Sequence, residues 1–103
     1  MDVQQKVIDQ IKPLDPEKII LFGSYASGRH KEHSDIDFAV IQKTRPRLGQ
    51  KAKIYVDLEK SGYNWRVEPD IHFFSQEEFR RRLAKGDLFV SEINAKGKVV
   101  YAK

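Results

Sequence analysis

The sequence predicts an α+β fold (mixed α/β), a small mixed β-sheet covered by helices. Three observations predict it. Ile19-Ile20-Leu21-Phe22 is a short apolar run that stops at Gly23-Ser24, the pattern of a strand buried on both faces. Asp35-Ile36-Asp37-Phe38-Ala39-Val40 alternates carboxylates with apolar residues, the pattern of a second strand. Around these runs lie stretches of helical length, with apolar residues three and four apart and recognisable caps. At 103 residues the chain is expected to form one domain, 1–103, with one core and no room for another.

The elements follow in order. Val3, Val7, Ile8 and Ile11 share a helical face across Asp2 to Lys12, with Asp2 placed to cap and Pro13 to stop the helix. Asp15-Pro16-Glu17-Lys18 is a polar turn into the first strand. The second strand is expected to end near Gln42. Thr44-Arg45-Pro46-Arg47 is a break, with proline near the first turn of the next helix. That helix is expected to turn Leu48, Ala52, Tyr55 and Leu58 inward, with Ile54 beside them, and to end at Ser61-Gly62.

A third strand is expected from about Trp65 to Phe73. Val67, Ile71 and Phe73 alternate there with Glu68, Asp70 and His72, so the second set shares one face. Pro69 cannot donate to a ladder, so an edge position or a bulge is expected. Ser75 to Glu78 reads as a capping box. The helix after it points Phe79 and Leu83 inward and Arg80, Arg81 and Arg82 mostly outward. Asp87 to Ala95 is expected to form a short helix with Leu88, Phe89 and Ile93 as its apolar residues. Gly97 then turns the chain into a short closing strand, Lys98 to Tyr101.

Charged residues make up 33% of the chain and the formal charge is +4, which favours anionic partners without choosing among them. With no cysteine, disulfides, zinc-thiolate sites and thiol nucleophiles are excluded. The first ten residues lack a signal-like apolar region, and no run is long enough to span a membrane. A cytoplasmic location is the expectation.

The chemistry is concentrated between Ile19 and Val40. Gly23 lets backbone approach a ligand closely, and Ser24 offers a hydroxyl and can cap a turn of helix starting at Tyr25-Ala26. Free N–H groups in such a turn suit phosphate. Asp35 and Asp37 project to the same side of a strand, where two carboxylates repel unless a cation sits between them. Mg²⁺ suits such oxygen ligands and leaves room for phosphate oxygens. Together these features outline a phosphoryl-chemistry site. There is no P-loop signature.

Other residues admit a bland account beside a functional one. Asp35 and Asp37 alone fit an edge strand facing solvent. His30, His33 and His72 are not spaced as a metal site and read as surface or loop histidines. Arg29 can reach a triphosphate or remain solvated, and Lys31 reads as a loop charge. Arg80, Arg81 and Arg82 can track RNA or form the wet side of a helix. Trp65 can stack on a base or lie half-buried on a strand.

Gly23-Ser24-Tyr25-Ala26-Ser27-Gly28 followed by Ser34-Asp35-Ile36-Asp37-Phe38 resembles the signature of the polymerase beta-like nucleotidyltransferase superfamily. The resemblance runs from about Ile19 to Phe74 and is looser at both ends. The small size resembles the minimal nucleotidyltransferases, stand-alone domains paired with HEPN-type toxins. The resemblance implies a nucleotidyltransferase fold and a third acidic residue on a later strand. Asp70 is the leading candidate and Glu68 the fallback. It implies Gly23 and Ser24 at the β- and γ-phosphates of ATP, with Asp35 and Asp37 also at the nucleotide. Two Mg²⁺ ions are expected on Asp35, Asp37 and Asp70, which form the catalytic set.

The implied reaction transfers AMP to a hydroxyl, by family habit a tyrosine of a HEPN-type toxin. The chain would then be an antitoxin acting as a protein adenylyltransferase. Larger relatives have a second domain walling the cleft, so a partner protein or a second copy of this chain is expected to complete the site. The competing readings are a binding module that neutralises its partner by contact alone, and nucleotidyl transfer to RNA or a small alcohol. Nucleic acid is allowed as a partner but not favoured.

Overall fold

The computed structural model describes residues 2–32 and 34–103. His33 lies outside the described residues.

The first helix, α1 (Val3–Ile11), is capped by Asp2, whose carboxylate accepts from the Gln5 N–H at 2.8 Å. Val7, Ile8 and Ile11 are buried. α1 stops at Ile11, ahead of Pro13 as expected, and Pro13 falls in a 3₁₀ turn, Lys12–Leu14, that follows directly, because proline has no N–H of its own to continue the α-helical ladder.

Strand β1 (Lys18–Phe22) is followed by the single-turn helix α2 (Ser24–Ser27) and by β2 (Ile36–Gln42). Helix α3 (Gln50–Lys60) crosses to β3 (Pro69–Ser75), and α4 (Gln76–Ala84), α5 (Leu88–Lys96) and β4 (Lys98–Ala102) complete the order. The sheet runs β3-β2-β1-β4. β1 pairs antiparallel with β2 and with β4, and β2 pairs parallel with β3. The mixed sheet expected from the sequence is thus present. Its single parallel pair requires a crossover, which α3 supplies.

Alternation along the strands divides the sheet into two covered faces. Ile19, Leu21, Ile36, Phe38, Val40 and Ile71 pack with α1 and with Ile54 and Leu58 of α3. Ile20, Phe22, Ala39, Ile41 and Phe74 pack with Val90 and Ile93 of α5, joined by Phe79 and Leu83 of α4. This is a three-layer arrangement in which β1 and β2 bury both faces.

Three elements differ from expectation. α3 begins at Gln50, after an N-cap at Gly49 with φ 85°, several residues after Pro46. Leu48 therefore lies outside the helix and fully exposed, Ala52 is exposed, and the buried residues are Gln50, Ile54 and Leu58. The end of α3 is as expected. Gly62 N–H donates to Glu59 O and Tyr63 N–H to Leu58 O, a Schellman cap with Gly62 at φ 78°.

β3 begins at Pro69 rather than at Trp65, and its pairing with β2 is unbroken. Proline at the first position of an edge strand needs no bulge. Trp65 lies in the preceding turn, edge-on to Tyr55 and Tyr63, and its indole N–H donates to Glu59. In α5 the buried residues are Val90 and Ile93, whereas Leu88 is 87% and Phe89 40% exposed.

Ser75 caps α4 by accepting from the Glu78 N–H at 3.0 Å. Glu78 turns instead to Arg82, which also meets Asp87. Asp87 in turn caps α5 through the Val90 N–H.

Candidate active site

The sheet register aligns one row of residues across three strands. Phe22 of β1 sits opposite Asp37 of β2, and Asp37 sits opposite Asp70 of β3. The strand period places all three on the face covered by α4 and α5. His72, two residues beyond Asp70, shares that face. Ligand atoms of Asp37, Asp70 and His72 lie within 4.8 Å of one another, and His72 Nε2 is 3.3 Å from Asp70 Oδ2.

Local sequence explains the positions. Asp37 is second in β2, between buried Ile36 and Phe38. Asp70 is second in β3, after Pro69 starts the strand. That start is fixed by two phenols. Tyr55 OH donates to Pro69 O at 2.8 Å and Tyr63 OH donates to Val67 O at 2.6 Å. Burial, with Tyr25 nearby, pushes the Tyr63 phenol up to about 12, so it remains a donor through the whole neutral range.

Gly23 ends β1 and opens α2 at φ 72° and ψ −151°, a conformation open essentially to glycine alone. It is also pressed against the site. A Cβ there would lie 3.3 Å from Asp37 Cγ and closer still to its Oδ2. Gly23 is itself the N-cap of α2, and Ser24 is its first residue rather than its cap. Ser27 Oγ donates to Ser24 O at 3.2 Å.

Asp37 is half-buried, and its carboxyl is pushed up from the usual range by burial first, then by Asp70. His72 opposes the shift, and Asp35 adds to it. The carboxylates are thus mutually repelling in a partly desolvated setting, and a cation among them would relieve the repulsion. Two carboxylates and an imidazole are suitable donors, with the carboxylates matched to a hard divalent ion.

Asp35 is exposed and one residue before β2. It stands near enough for its charge to act on Asp37, but it is not in the 4.8 Å grouping. Glu68, the fallback to Asp70, is exposed and outside β3. Histidine spacing along the chain points to a surface or loop residue at His72, yet it is the third member of the grouping. Its signal was present in the Glu68, Asp70, His72 alternation. Phe89, expected only as an apolar residue of its helix, also reaches the site, and its ring meets those of Phe22 and His72 at centroid distances of 5.6 and 5.2 Å. His30 stacks on Tyr25 at 4.0 Å, away from this grouping.

A sheet bearing paired carboxylates beside a glycine turn is the layout of a phosphoryl-transfer domain. The chain belongs to the family described as polymerase beta, nucleotidyltransferase, whose pattern matches residues 5–103. Among curated proteins it is similar to a candidate protein adenylyltransferase of Methanocaldococcus jannaschii, with 47% identity over 38 residues. That match spans 37% of this chain and 38% of the relative's length.

Among solved structures it is similar to a toxin–antitoxin with AMP-PNP, with a TM-score of 0.65 and 21% identity, over 97% of this chain and 73% of the other. A candidate nucleotidyltransferase from Sulfolobus solfataricus gives a TM-score of 0.58 and 13% identity, over 98% of this chain and 78% of the other. A complex of tri-AMPylated Shewanella oneidensis HEPN toxin with MNT antitoxin gives 0.55 and 18%, over 99% and 74%. At these identities the structural matches establish the fold. Among the described residues, no helix is long and apolar enough to cross a membrane.

Proposed function

We propose that this protein is a Mg²⁺-dependent nucleotidyltransferase that moves AMP from ATP to a hydroxyl of a partner protein. The partner we propose is a HEPN-type toxin modified on tyrosine, which makes this chain its antitoxin. The observation that carries the reading is the convergence of Asp37, Asp70 and His72 within 4.8 Å, directly beside the glycine turn. The adenylyltransferase name of the curated relative and the AMPylated toxin in one structural neighbour support the choice of AMP and of a protein acceptor. The AMP-PNP complex supports an adenine nucleotide as substrate.

Asp37 and Asp70 would hold the divalent ions, with Asp35 contributing from the residue before β2 and His72 beside Asp70. The ions supply positive charge to phosphate oxygens. Gly23 and Ser24 hold the β- and γ-phosphates against the end of β1. The acceptor hydroxyl oxygen forms a bond to the α-phosphorus while the bond from that phosphorus to the pyrophosphate oxygen breaks. Pyrophosphate leaves with the bonding pair, and Asp70 accepts the hydroxyl proton.

Calorimetry with ATP, with and without Mg²⁺, tests the site. Binding that needs Mg²⁺ and is lost in Asp37→Asn supports the reading. Intact-mass measurement of the partner toxin after incubation with ATP tests the reaction. Addition of adenylyl groups by wild type, and none by Asp35→Ala or Asp37→Ala, is expected. A toxin neutralised without ATP and without added mass would instead identify a module acting by contact.

A further inference from the structure

Of the three donors grouped at the site, His72 is the one that an ion with an all-oxygen preference, such as Mg²⁺, does not call for. Its ring is held in place by two others. Phe22 lies against it at 5.6 Å between centroids and Phe89 at 5.2 Å, at tilted and edge-on angles. Packing of this kind locks the rotamer of a site residue. The ring presents Nε2 to Asp70, 3.3 Å from Oδ2. The side chain remains 33% exposed on an edge strand, within reach of an entering ion.

That separation is long for a bond from a charged imidazole to a carboxylate, which runs about 2.7–2.9 Å. It is closer to the spacing of neighbouring ligands. Two donors at right angles, each about 2.1 Å from one ion, stand about 3.0 Å apart, and two facing each other across it about 4.2 Å. Asp37 supplies a third donor within 4.8 Å of the other two, so small side-chain adjustments bring all three onto one ion.

We propose that His72 is a metal ligand through Nε2, together with one oxygen each of Asp37 and Asp70, and that it makes the site select a first-row transition ion over Mg²⁺. The inference rests on the nucleotidyltransferase reading above and adds to it the residue that sets ion preference. Two carboxylates alone match a hard ion. An imidazole nitrogen matches ions such as Fe²⁺, Ni²⁺ and Zn²⁺, and Co²⁺ stands among them in the order of affinities. Mg²⁺ takes oxygen and keeps several waters. His72 therefore adds affinity for the transition ions and little for Mg²⁺.

The test uses Co²⁺ as the probe. Calorimetry of the untagged, metal-free chain with Co²⁺ and with Mg²⁺ is run on wild type, on His72→Leu and on the double variant His30→Gln/His33→Gln, with urea unfolding as a fold control. The chain has three histidines, so His72 is the only one left in the double variant. Partners one step outside a metal's ligands are worth roughly 10–100-fold in affinity. Loss of a ligand should therefore weaken Co²⁺ about 100-fold, while Mg²⁺ changes little, and the double variant should bind both ions as wild type does. Proton NMR of the Co²⁺ complex should show an exchangeable imidazole N–H signal shifted far outside the diamagnetic range. It should persist in the double variant and vanish in His72→Leu. The double variant keeps the test decisive even if His72→Leu folds poorly.

Equal weakening of Co²⁺ and Mg²⁺ in His72→Leu would make His72 a support for Asp70 rather than a ligand, and would overturn the proposal. A shifted signal missing from the double variant would overturn it as well. ATP added to the same samples separates the two readings. If Co²⁺ binds through His72 but ATP binds with neither ion, the ligand stands and the nucleotidyltransferase reading fails. If ATP binds with either ion and His72→Leu leaves the ion preference unchanged, that reading stands and the ligand fails.

Discussion

Replacing Gly23 with alanine perturbs the backbone and the carboxylate site through one atom. At φ 72° and ψ −151° an alanine carries a strain of about 1–3 kcal/mol. Its Cβ would overlap the Asp37 carboxylate, with Cγ 3.3 Å away. Asp37 must rotate, at about 0.5–1.5 kcal/mol, and rotation takes it from Asp70 and His72. The sum is about 3 kcal/mol. Gly28 is the internal control. It sits at φ 74° and ψ 12°, nothing lies within 4 Å of its Cβ position, and alanine there costs only the left-handed penalty of about 1–2 kcal/mol.

Urea unfolding followed by circular dichroism reads both. With a slope near ~1.5 kcal/mol per M, the Gly23→Ala midpoint should fall roughly 2 M and the Gly28→Ala midpoint by about half as much. In an Asp37→Ala background the overlap is gone, because the remaining Cβ–Cβ distance is 3.6 Å. Gly23→Ala should then lose about 1 kcal/mol less than in wild type. Mg²⁺-dependent ATP binding should be lost in Gly23→Ala and kept in Gly28→Ala. Equal losses at the two glycines, with no coupling to Asp37, would refute the assignment of Gly23 as the residue that shapes the carboxylate site.

Other perturbations follow from the same contacts. The Asp37 carboxyl is pushed above its ordinary 3.8, mainly by burial and Asp70, so the folded state holds its proton more tightly than the unfolded state. Metal-free stability should fall as pH rises from 3.8 through the folded value, and Asp37→Asn should flatten that decline in a pH series of urea midpoints. The Tyr63 phenol is pushed from 10.0 to about 12. A second loss of stability is therefore expected between those two values, and Tyr63→Phe should reduce it, leaving the part due to Tyr55, whose phenol burial also pushes up. Tyr55→Phe deletes the bond to Pro69 O. It should cost about 1 kcal/mol in thermal unfolding and weaken Mg²⁺–ATP binding by loosening the start of β3.

Much of the site could be read along the chain because its parts are local. The Gly23-Ser24 turn follows a strand whose apolar run announces itself. Asp37 sits in an alternating strand, and Asp70 has the face that its spacing from Ile71 demands. Capping at Asp2, Ser75 and Gly62 depends on residues three to five apart, so sequence specified it and the structure bears it out.

What only tertiary structure decided is who stands opposite whom. The β2–β3 register brings Asp70 to Asp37 from 33 positions away and admits His72 to the same group. No spacing within one segment encodes a register between two. Helix faces behaved likewise. Leu48, Ala52 and Leu88 are apolar at helical spacing, yet all three are exposed. Which side of a helix is buried depends on where the chain enters it and on which sheet face receives it. Gly49 delays α3, and α5 gives Val90 and Ile93 to the sheet. Sequence thus determined the strands, the turn and the acidic residues, because those are short-range preferences of backbone and side chain. Packing determined the assembled site, because proximity across a sheet is a property of the whole fold.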